Sequence, residues 1–350
     1  MSDRDRVLRY LRREATDGIP FDIEFNGMTE KVYAKELQGM KEKEFFNCPT
    51  RDVHPDLSKA KQHYDFESLY KDYDKDASID EWGIRTCVYP NGVSRTDNPM
   101  KDFCSAEALR DYPFPDYANP ACYTSMKQAI SKIKSQGHVA IANAARFIFA
   151  MGRELRGYEN HMMDYYINQE FNEALLNQIM ECQMELVKQM ALAKPDILWL
   201  CSDVASQDNV LLNPKVYRET VAWRMKKLFF SAKRANPDIL CLYHCCGNVM
   251  PIIDDIVDFG TDILNPIQPE SLNFKQLKKE YGDKLVFWGG VSCQKTMPRG
   301  KPEDIKREIQ NVSTILGDNG GFVISPSNLV TPDTPWENIT AFVEEAKKLW

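Results

Sequence analysis

Short apolar runs alternate with amphipathic helical segments through the last two thirds of this chain, and that alternation constrains the fold more than any other feature. Strand-like runs occur at residues 138–145, 197–201, 239–244, 263–266, 285–288 and 322–324. Helical periodicity occurs between or after them, at residues 166–193, 214–235, 249–259, 274–281, 302–316 and 335–348. Strands that alternate with helices predict parallel pairing through crossover helices.

The number of strands favours a closed barrel over an open sheet. Residues 19–25 and a weaker run at 82–89 raise the strand-like segments to eight, which predicts a (β/α)8 barrel of the TIM type. The rival is an open doubly wound sheet, but the G-x-G-x-x-G turn expected after its first strand is missing. The chain has 350 residues, against roughly 250 in a typical barrel. We therefore expect one barrel domain over residues 1–350, with 40–130 as an irregular insertion that covers the barrel mouth.

The charge balance and the N-terminus exclude several classes of partner. The chain carries 44 Lys and Arg against 51 Asp and Glu, for a net charge of −7, and it has no basic stripe. Nucleic acid is therefore not an expected partner. Residues 1–13 are charged and lack an apolar core, which argues against a signal peptide or a membrane span. We expect a cytoplasmic protein whose ten cysteines are reduced and serve as core residues or as ligands.

Polar side chains follow the predicted strands, where the catalytic groups of such barrels lie. The candidates at these strand ends are Asn26, Asn143, Arg146, Ser202, Asp203, His244, Cys246, Asn265, Gln268, Ser292, Cys293, Ser325 and Ser327. Among them and in the loops beside them, the predicted substrate-binding residues are Asn143, Arg146, Gln207, Asn265 and Gln268.

The sharpest local feature is a histidine and a cysteine at the end of one strand. His244 and Cys246 are two residues apart, so on a strand they face the same side, whereas Cys245 faces the other. An imidazole and a thiolate together suit zinc. The alternative is a buried, hydrogen-bonded histidine beside a core cysteine.

Two carboxylates are further candidates for the site. Asp203 follows the strand at 197–201 and is interpreted either as a metal ligand, general acid/base or substrate anchor, or as the start of an Asx turn. Glu159 precedes a long helix, and it would either approach the pocket or favour the helix N-terminus electrostatically.

Seven short motifs follow one another in a recognisable order. They read LRGYEN at 155–160, SDVASQ at 202–207, LNPKVY at 212–217, YHCCGNV at 243–249, GTDILNPIQ at 260–268, FWGGV at 287–291 and PWENI at 335–339. This series resembles the uroporphyrinogen decarboxylase-like superfamily, most strongly over residues 138–348, and especially its cobamide-dependent methyltransferase branch. Porphyrinogen decarboxylases carry N-terminal arginines that clamp substrate carboxylates, whereas residues 19–26 here read IPFDIEFN. The resemblance therefore favours a methyltransferase over a decarboxylase.

The resemblance also implies a metal. In the methyltransferase branch a histidine and a cysteine two residues apart bind zinc, and His244 and Cys246 match that pair. Coenzyme-M-type members take a third ligand from a cysteine on the last strand, but residues 321–326 here read GFVISP. The expected third ligand is then Glu159, Asp203 or Cys293, unless no metal binds. A carboxylate in place of a thiolate would make the zinc harder and more Lewis-acidic.

A more electrophilic zinc suits a methyl ether as the donor, since it stabilises the oxyanion that departs when cob(I)amide takes the methyl group. The resemblance thus implies the first methyltransferase of an O-demethylase system, which acts on a methoxylated aromatic. A separate corrinoid protein would carry the cobamide and dock at the open end of the barrel. Asp203 and Glu159 are the expected catalytic residues, and a homodimer is the default assembly. The alternatives are a metal-free decarboxylase acting on a porphyrinogen or another carboxylate, and a barrel that binds a corrinoid or tetrapyrrole without turnover.

Overall fold

The centre of the molecule is a curved parallel sheet of seven strands. The computed structural model describes residues 1–15, 17–70, 77–88, 94–144 and 146–350. The sheet order is β1-β5-β6-β7-β8-β9-β10. Its strands are β1 (Thr50–Val53), β5 (Val139–Ala144), β6 (Ile197–Cys201), β7 (Leu240–His244), β8 (Ile263–Ile267), β9 (Val286–Val291) and β10 (Phe322–Pro326). This order confirms the predicted TIM-barrel-like fold, because the strands of the sheet lie side by side in the order in which they occur along the chain.

The segment at 19–25 lies between the two edges of this sheet. Phe21 forms a parallel bridge with Ile324, and the Asp22 amide donates to the Ile324 carbonyl at 2.9 Å. On the other side, the Thr50 hydroxyl donates to Asp22 Oδ1 at 2.7 Å. The predicted first strand therefore takes the eighth position of the barrel, although only isolated bridges pair it.

The predicted second strand is wrong. Within residues 82–89, Arg85–Val88 (β3) pairs antiparallel with β2 (Ala77–Ile79) and β4 (Ser94–Asp97) in a separate three-stranded sheet, while Tyr89 lies outside the described residues. The barrel strand is instead β1, inside the segment predicted to be irregular. Its sequence TRDV has no apolar run, and only its first and last residues are buried, so the sequence pattern gave no strand signal.

Helices pack around the barrel. They are α1 (Asp3–Leu11), α2 (Gly27–Val32), α3 (Glu42–Phe45), α4 (Thr124–Ser135), α5 (Phe149–Arg156), α6 (Tyr158–Ile167), α7 (Gln169–Leu192), α8 (Pro214–Tyr217), α9 (Trp223–Ala235), α10 (Ile253–Asp258), α11 (Phe274–Tyr281), α12 (Thr296–Arg299), α13 (Pro302–Leu316) and α14 (Trp336–Leu349). The predicted helix at 214–235 is α8 and α9 joined by a π-helical segment, Arg218–Ala222. None of the helices in the described ranges is both long and apolar enough to cross a bilayer.

The core has two layers because strand side chains alternate between the barrel interior and the surrounding helices. The interior layer includes Ile141, Trp199, Leu242 and Trp288. Helix α1 packs its apolar residues against this layer, and the Arg4 side chain pairs with Asp196 at 2.7 Å. The larger layer, between strands and helices, contains most of the other buried residues.

Candidate functional site

The inward side of the sheet changes from apolar to polar at the carboxyl ends of the strands. In β6, for example, Ile197 and Trp199 belong to the interior core, and Cys201 is the next residue in the same phase. The corresponding last inward residues of the other strands are Asn143, His244, Asn265 and Ser325. They line a cavity of about 230 Å³, together with Asp22, Ile23, Glu24, Trp199, Cys201, Pro266, Trp288, Pro326, Asn328 and Leu329.

His244 is held in one tautomer. Its Nδ1 lies 2.6 Å from Asn265 Oδ1, and since a carbonyl oxygen only accepts, Nδ1 carries the proton and Nε2 keeps its lone pair. The ring stacks on Trp199 with centroids 5.2 Å apart. Burial lowers the pKa of His244, against the opposing effects of Asp203 and Asn265. The imidazole is thus neutral, as a metal ligand must be.

Three potential ligand atoms meet at this histidine. One atom each from Cys201, Asp203 and His244 lies within 4.8 Å of the others, and His244 Nε2 is 3.9 Å from Asp203 Oδ1. The loop also fixes Asp203, whose Oδ1 accepts from the Cys246 amide at 2.9 Å. Asp203 was one of the predicted candidates for the third ligand, whereas sequence reasoning missed Cys201. Cys201 is two residues after Trp199 and four after Ile197, so it faces the same side of the strand, and this spacing is the signal that would have revealed it.

Cys246 lies beside this group. Its Sγ is 3.7 Å from His244 Nε2, and the Asn328 amide donates to the sulfur at 3.2 Å. A tight turn after Cys246 sets this position: Gly247 has a φ of +91°, and a Cβ there would lie 2.2 Å from the Ser206 carbonyl oxygen. The Gly247 amide donates to Gln268 Oε1 at 2.6 Å. Gln268, predicted to bind substrate, is therefore engaged in holding the turn.

The donor set fits zinc. Zinc bonds of about 2.0 Å to nitrogen and 2.3 Å to sulfur, at a tetrahedral angle, place the two atoms about 3.5 Å apart. The observed separation of His244 Nε2 and Cys246 Sγ is 3.7 Å. One imidazole, one carboxylate and two thiols are also the ligand types that zinc takes in proteins. Burial, together with the nearby Asp203 carboxylate, raises the pKa of the Cys246 thiol to about 12. A bound cation would lower this pKa and favour the thiolate.

The end of the last strand lacks the cysteine that the resemblance implies as the third zinc ligand. Where the resemblance implies a cysteine, Ser325 is buried and its hydroxyl donates to the Pro326 carbonyl at 2.9 Å. Asn328, just beyond, is the residue that contacts Cys246. The β10 end therefore presents a hydroxyl and an amide to the cavity.

Several predicted residues lie outside the cavity lining. Glu159 is exposed in the first turn of α6, and Gln207 is exposed in the loop after β6. Arg146 pairs with Asp80 at 2.8 Å and lines a neighbouring pocket. Cys293 accepts from the Ser327 hydroxyl at 3.5 Å and does not belong to the group of three ligand atoms. Of the two carboxylates proposed as catalytic, Asp203 alone is at the site.

A buried acidic cluster forms another wall, and sequence reasoning missed it. Lys43 Nζ lies 3.0 Å from Asp22 and 2.5 Å from Asp52, and Glu24 lines the cavity beside Asp22. Burial raises the pKa of Glu24 to about 7, with the carboxylates of Asp52, Asp22 and Glu42 adding to the effect and Lys43 opposing it. Acidic residues alternate here with Phe21, Ile23 and Phe25, a period of two that indicates an inward acidic face.

The fold and the site together define an α/β barrel protein with a nitrogen, sulfur and oxygen ligand cluster at the carboxyl ends of its strands. The chain belongs to the uroporphyrinogen decarboxylase (URO-D) family, whose sequence profile matches residues 2–349.

Individual relatives fall in two groups. The chain is 29% identical over 163 residues, 47% of its length and 44% of the relative's, to the methylcobamide:CoM methyltransferase MtaA of Methanosarcina barkeri. It is 24% identical over 184 residues, 53% of its length and 50% of the relative's, to a uroporphyrinogen decarboxylase of Hydrogenobaculum sp. strain Y04AAS1. The matches thus span about half the length of these curated relatives. A solved methyltransferase from Methanosarcina mazei shares the fold over 99% of both chains, with a TM-score of 0.73 and 18% identity.

Proposed function

We propose that this protein is a corrinoid-dependent methyltransferase. It moves a methyl group from a methoxylated aromatic compound to the cob(I)amide of a separate corrinoid protein, with zinc as a Lewis acid. The observation that carries the proposal is that Cys201 and His244, which line a small cavity with two tryptophans, each place a ligand atom within 4.8 Å of one from Asp203. The partial similarity to a methylcobamide:CoM methyltransferase supports the same reaction class.

The cavity favours a small, flat and uncharged donor. Its volume of about 230 Å³ is below the range of roughly 300–1,000 Å³ for drug-sized ligands, and Trp199 and Trp288 offer ring faces. The described residues that line it include neither Arg nor Lys, whereas Asp22 and Glu24 do line it. A tetrapyrrole with many carboxylates needs cationic partners, so these features disfavour the decarboxylase alternative.

The ligand residues have distinct tasks. His244, Asp203 and Cys201 would hold the zinc, with Cys246 as the neighbouring thiol donor. Zinc, when bound, supplies Lewis-acid stabilisation of the negative charge that develops on the departing oxygen. Asn265 keeps the histidine lone pair directed at the site.

The methyl acceptor approaches from outside. The cavity lies at the carboxyl ends of the strands, which is the open face of such barrels. We infer that the corrinoid protein docks on this face and brings its cobalt in line with the methyl carbon–oxygen bond. The homodimer, the cytoplasmic location and the single domain with 40–130 as a cover remain predictions.

Metal analysis and methyl transfer together test the proposal. Purified protein, reduced corrinoid protein and a panel of methoxyarenes are mixed, and the conversion of cob(I)amide to methylcob(III)amide is followed by absorbance. We expect bound zinc and conversion in the wild type, and loss of both in the His244→Ala/Cys201→Ser variant. The His63→Ala/Cys104→Ser variant is the matched control, since both of its residues are exposed, and it should behave as wild type.

Two results would contradict the proposal. Binding of a corrinoid or tetrapyrrole without turnover of any methyl donor would favour the non-catalytic alternative. Release of carbon dioxide from a porphyrinogen by metal-free protein would favour the decarboxylase.

A further inference from the structure

Glu24 lines both the cavity and a second pocket, here called the outer pocket because several of its residues are exposed. It lines the substrate cavity with His244 and Trp199. It also lines a pocket of about 390 Å³ with Phe25, Glu30, Lys41, Glu42, Lys43, Glu44, Arg51, Asp52 and His54. Several residues of that pocket, such as Lys41 and His54, are exposed. Glu24 therefore borders both a cavity that can hold a ligand and a pocket that reaches exposed residues.

The neighbouring charges leave Glu24 unpaired. Lys43 is almost fully buried and directs its ammonium group to Asp22 and Asp52. Within the described part of the chain, no ion pair or hydrogen bond engages the Glu24 carboxylate. One buried cation cannot balance the buried carboxylate of Asp22 together with the half-buried carboxylates of Asp52 and Glu24. A proton on one of the three carboxylates is the least costly remedy.

We propose that Glu24 is the general acid that protonates the departing oxygen of the methyl donor. This inference rests on the proposed methyl transfer and adds a catalytic residue to it. Cob(I)amide supplies an electron pair to the methyl carbon and becomes methylcob(III)amide, and the carbon–oxygen pair stays on oxygen. That oxygen takes the proton of Glu24, so the products are a phenol and a Glu24 carboxylate. A proton from solvent then restores the carboxyl group through the outer pocket.

The electrostatics support this assignment. Lys43, Asp22, Asp52 and Glu42 are the charged groups that act on Glu24, and the outer pocket adds Glu30, Lys41, Glu44, Arg51 and His54. Burial, together with the three other carboxylates, raises the pKa of Glu24 to about 7 despite the opposing lysine. An acid active in its protonated form loses activity as the pH rises through its pKa. The rate of methyl transfer should therefore fall above about pH 7.

The test compares Glu24→Gln with wild-type protein in single-turnover methyl transfer to cob(I)alamin. Gln keeps the size of the side chain but has no proton to give, so the rate should fall about 10²-fold or more for methoxyarenes whose phenols are weak acids. The loss should shrink for nitro-substituted methoxyarenes, whose phenolates leave without a proton. Glu24→Asp should retain part of the rate, and Glu36→Gln, an exposed change that lines neither pocket, should retain all of it.

Three further readouts separate an acid from a structural residue. The wild type should show a solvent deuterium isotope effect and a rate that falls above about pH 7, and Glu24→Gln should lose both. Difference infrared spectroscopy should detect a carboxyl group that titrates near pH 7 in the wild type and is missing in Glu24→Gln, whatever the activity. A uniform loss across all donors with an unchanged pH profile, or no loss at all, would overturn the role of Glu24. Absence of transfer by the wild type would instead overturn the proposed function, while the infrared titration would still report on Glu24.

Discussion

The hydrogen bond between Asn265 and His244 leads to the most specific prediction. The Asn265 side chain is buried, with 5% of its surface exposed, and its Oδ1 lies 2.6 Å from His244 Nδ1. Asn265→Leu removes the acceptor and keeps the number and branching of the side-chain heavy atoms. The imidazole is then free to place its proton on Nε2, the atom that lies 3.7 Å from Cys246 Sγ and 3.9 Å from Asp203 Oδ1.

Loss of such an outer hydrogen bond typically weakens metal binding 10- to 100-fold, which corresponds to about 1.4–2.7 kcal/mol. We expect a loss in this range for Asn265→Leu, and little or none for Asn265→Asp, because a carboxylate accepts the same hydrogen bond. The measurement is a zinc titration in competition with a chromophoric chelator, at a pH where the imidazole is neutral.

Asn172→Leu is the matched control. Asn172 is also a buried asparagine, with 2% of its surface exposed, but it lies on helix α7, so its replacement should leave zinc affinity unchanged. Folded Asn265→Leu protein that binds zinc within twofold of the wild type would refute the reasoning that Asn265 sets the tautomer. Equal losses in Asn265→Leu and Asn172→Leu would do the same.

Three further changes test separate parts of the structure. Gly247→Ala would place a Cβ 2.2 Å from Ser206 O at a φ of +91°, so urea titration should show a loss of more than about 1 kcal/mol in unfolding free energy; an unchanged midpoint would contradict the turn geometry. Lys43→Met removes the cation that pairs with buried carboxylates such as Asp22, and it should lower the unfolding free energy by about 3–5 kcal/mol at pH 7. Since the pKa of Asp22 is raised in the fold, this penalty should diminish as the pH falls toward 5, and a constant penalty would argue against unpaired carboxylates. Trp199→Ala removes an aromatic contact worth about 0.5–1.5 kcal/mol and should weaken methoxyarene binding up to about tenfold in calorimetry. Unchanged affinity would show that the ring of the methoxyarene does not contact Trp199.

The sequence predicts the barrel strands well where apolar runs are long. It fails where the pairing of a segment depends on residues that are distant in the chain. Strands β5 to β10 carry apolar runs whose burial on both faces is visible in the chain itself. Strand β1 reads TRDV, and it is a barrel strand because β5 pairs with it in register from Thr50 to Val53. The opposite failure is β3, which does form a strand but pairs with β2 and β4. The residue pattern within one strand does not specify which strand it pairs with.

The same distinction holds for the site. The proximity of His244 and Asp203 follows from the sequence, because each ends or follows an apolar strand and the ends of neighbouring parallel strands lie side by side. Cys201 was missed because, as the last residue of an apolar run, it resembles the core until its inward phase is counted. Arg146 and Gln207 lie outside the cavity lining because loop conformation decides their direction: Arg146 pairs with Asp80, and Gln207 is exposed to solvent. Such outcomes depend on contacts far apart in the chain.

Isotopic labelling of the methyl group tests the central claim most directly. A methoxyarene with a ¹³C-labelled methyl group is mixed with stoichiometric cob(I)amide on its corrinoid protein and the zinc-loaded enzyme, and the products are examined by NMR. The account predicts that ¹³C appears as a methyl group on cobalt together with an equimolar phenol. It also predicts that both products disappear when the metal is removed and return when zinc is restored. Label that stays on the arene with every donor, or equal transfer by metal-free protein, would contradict the account.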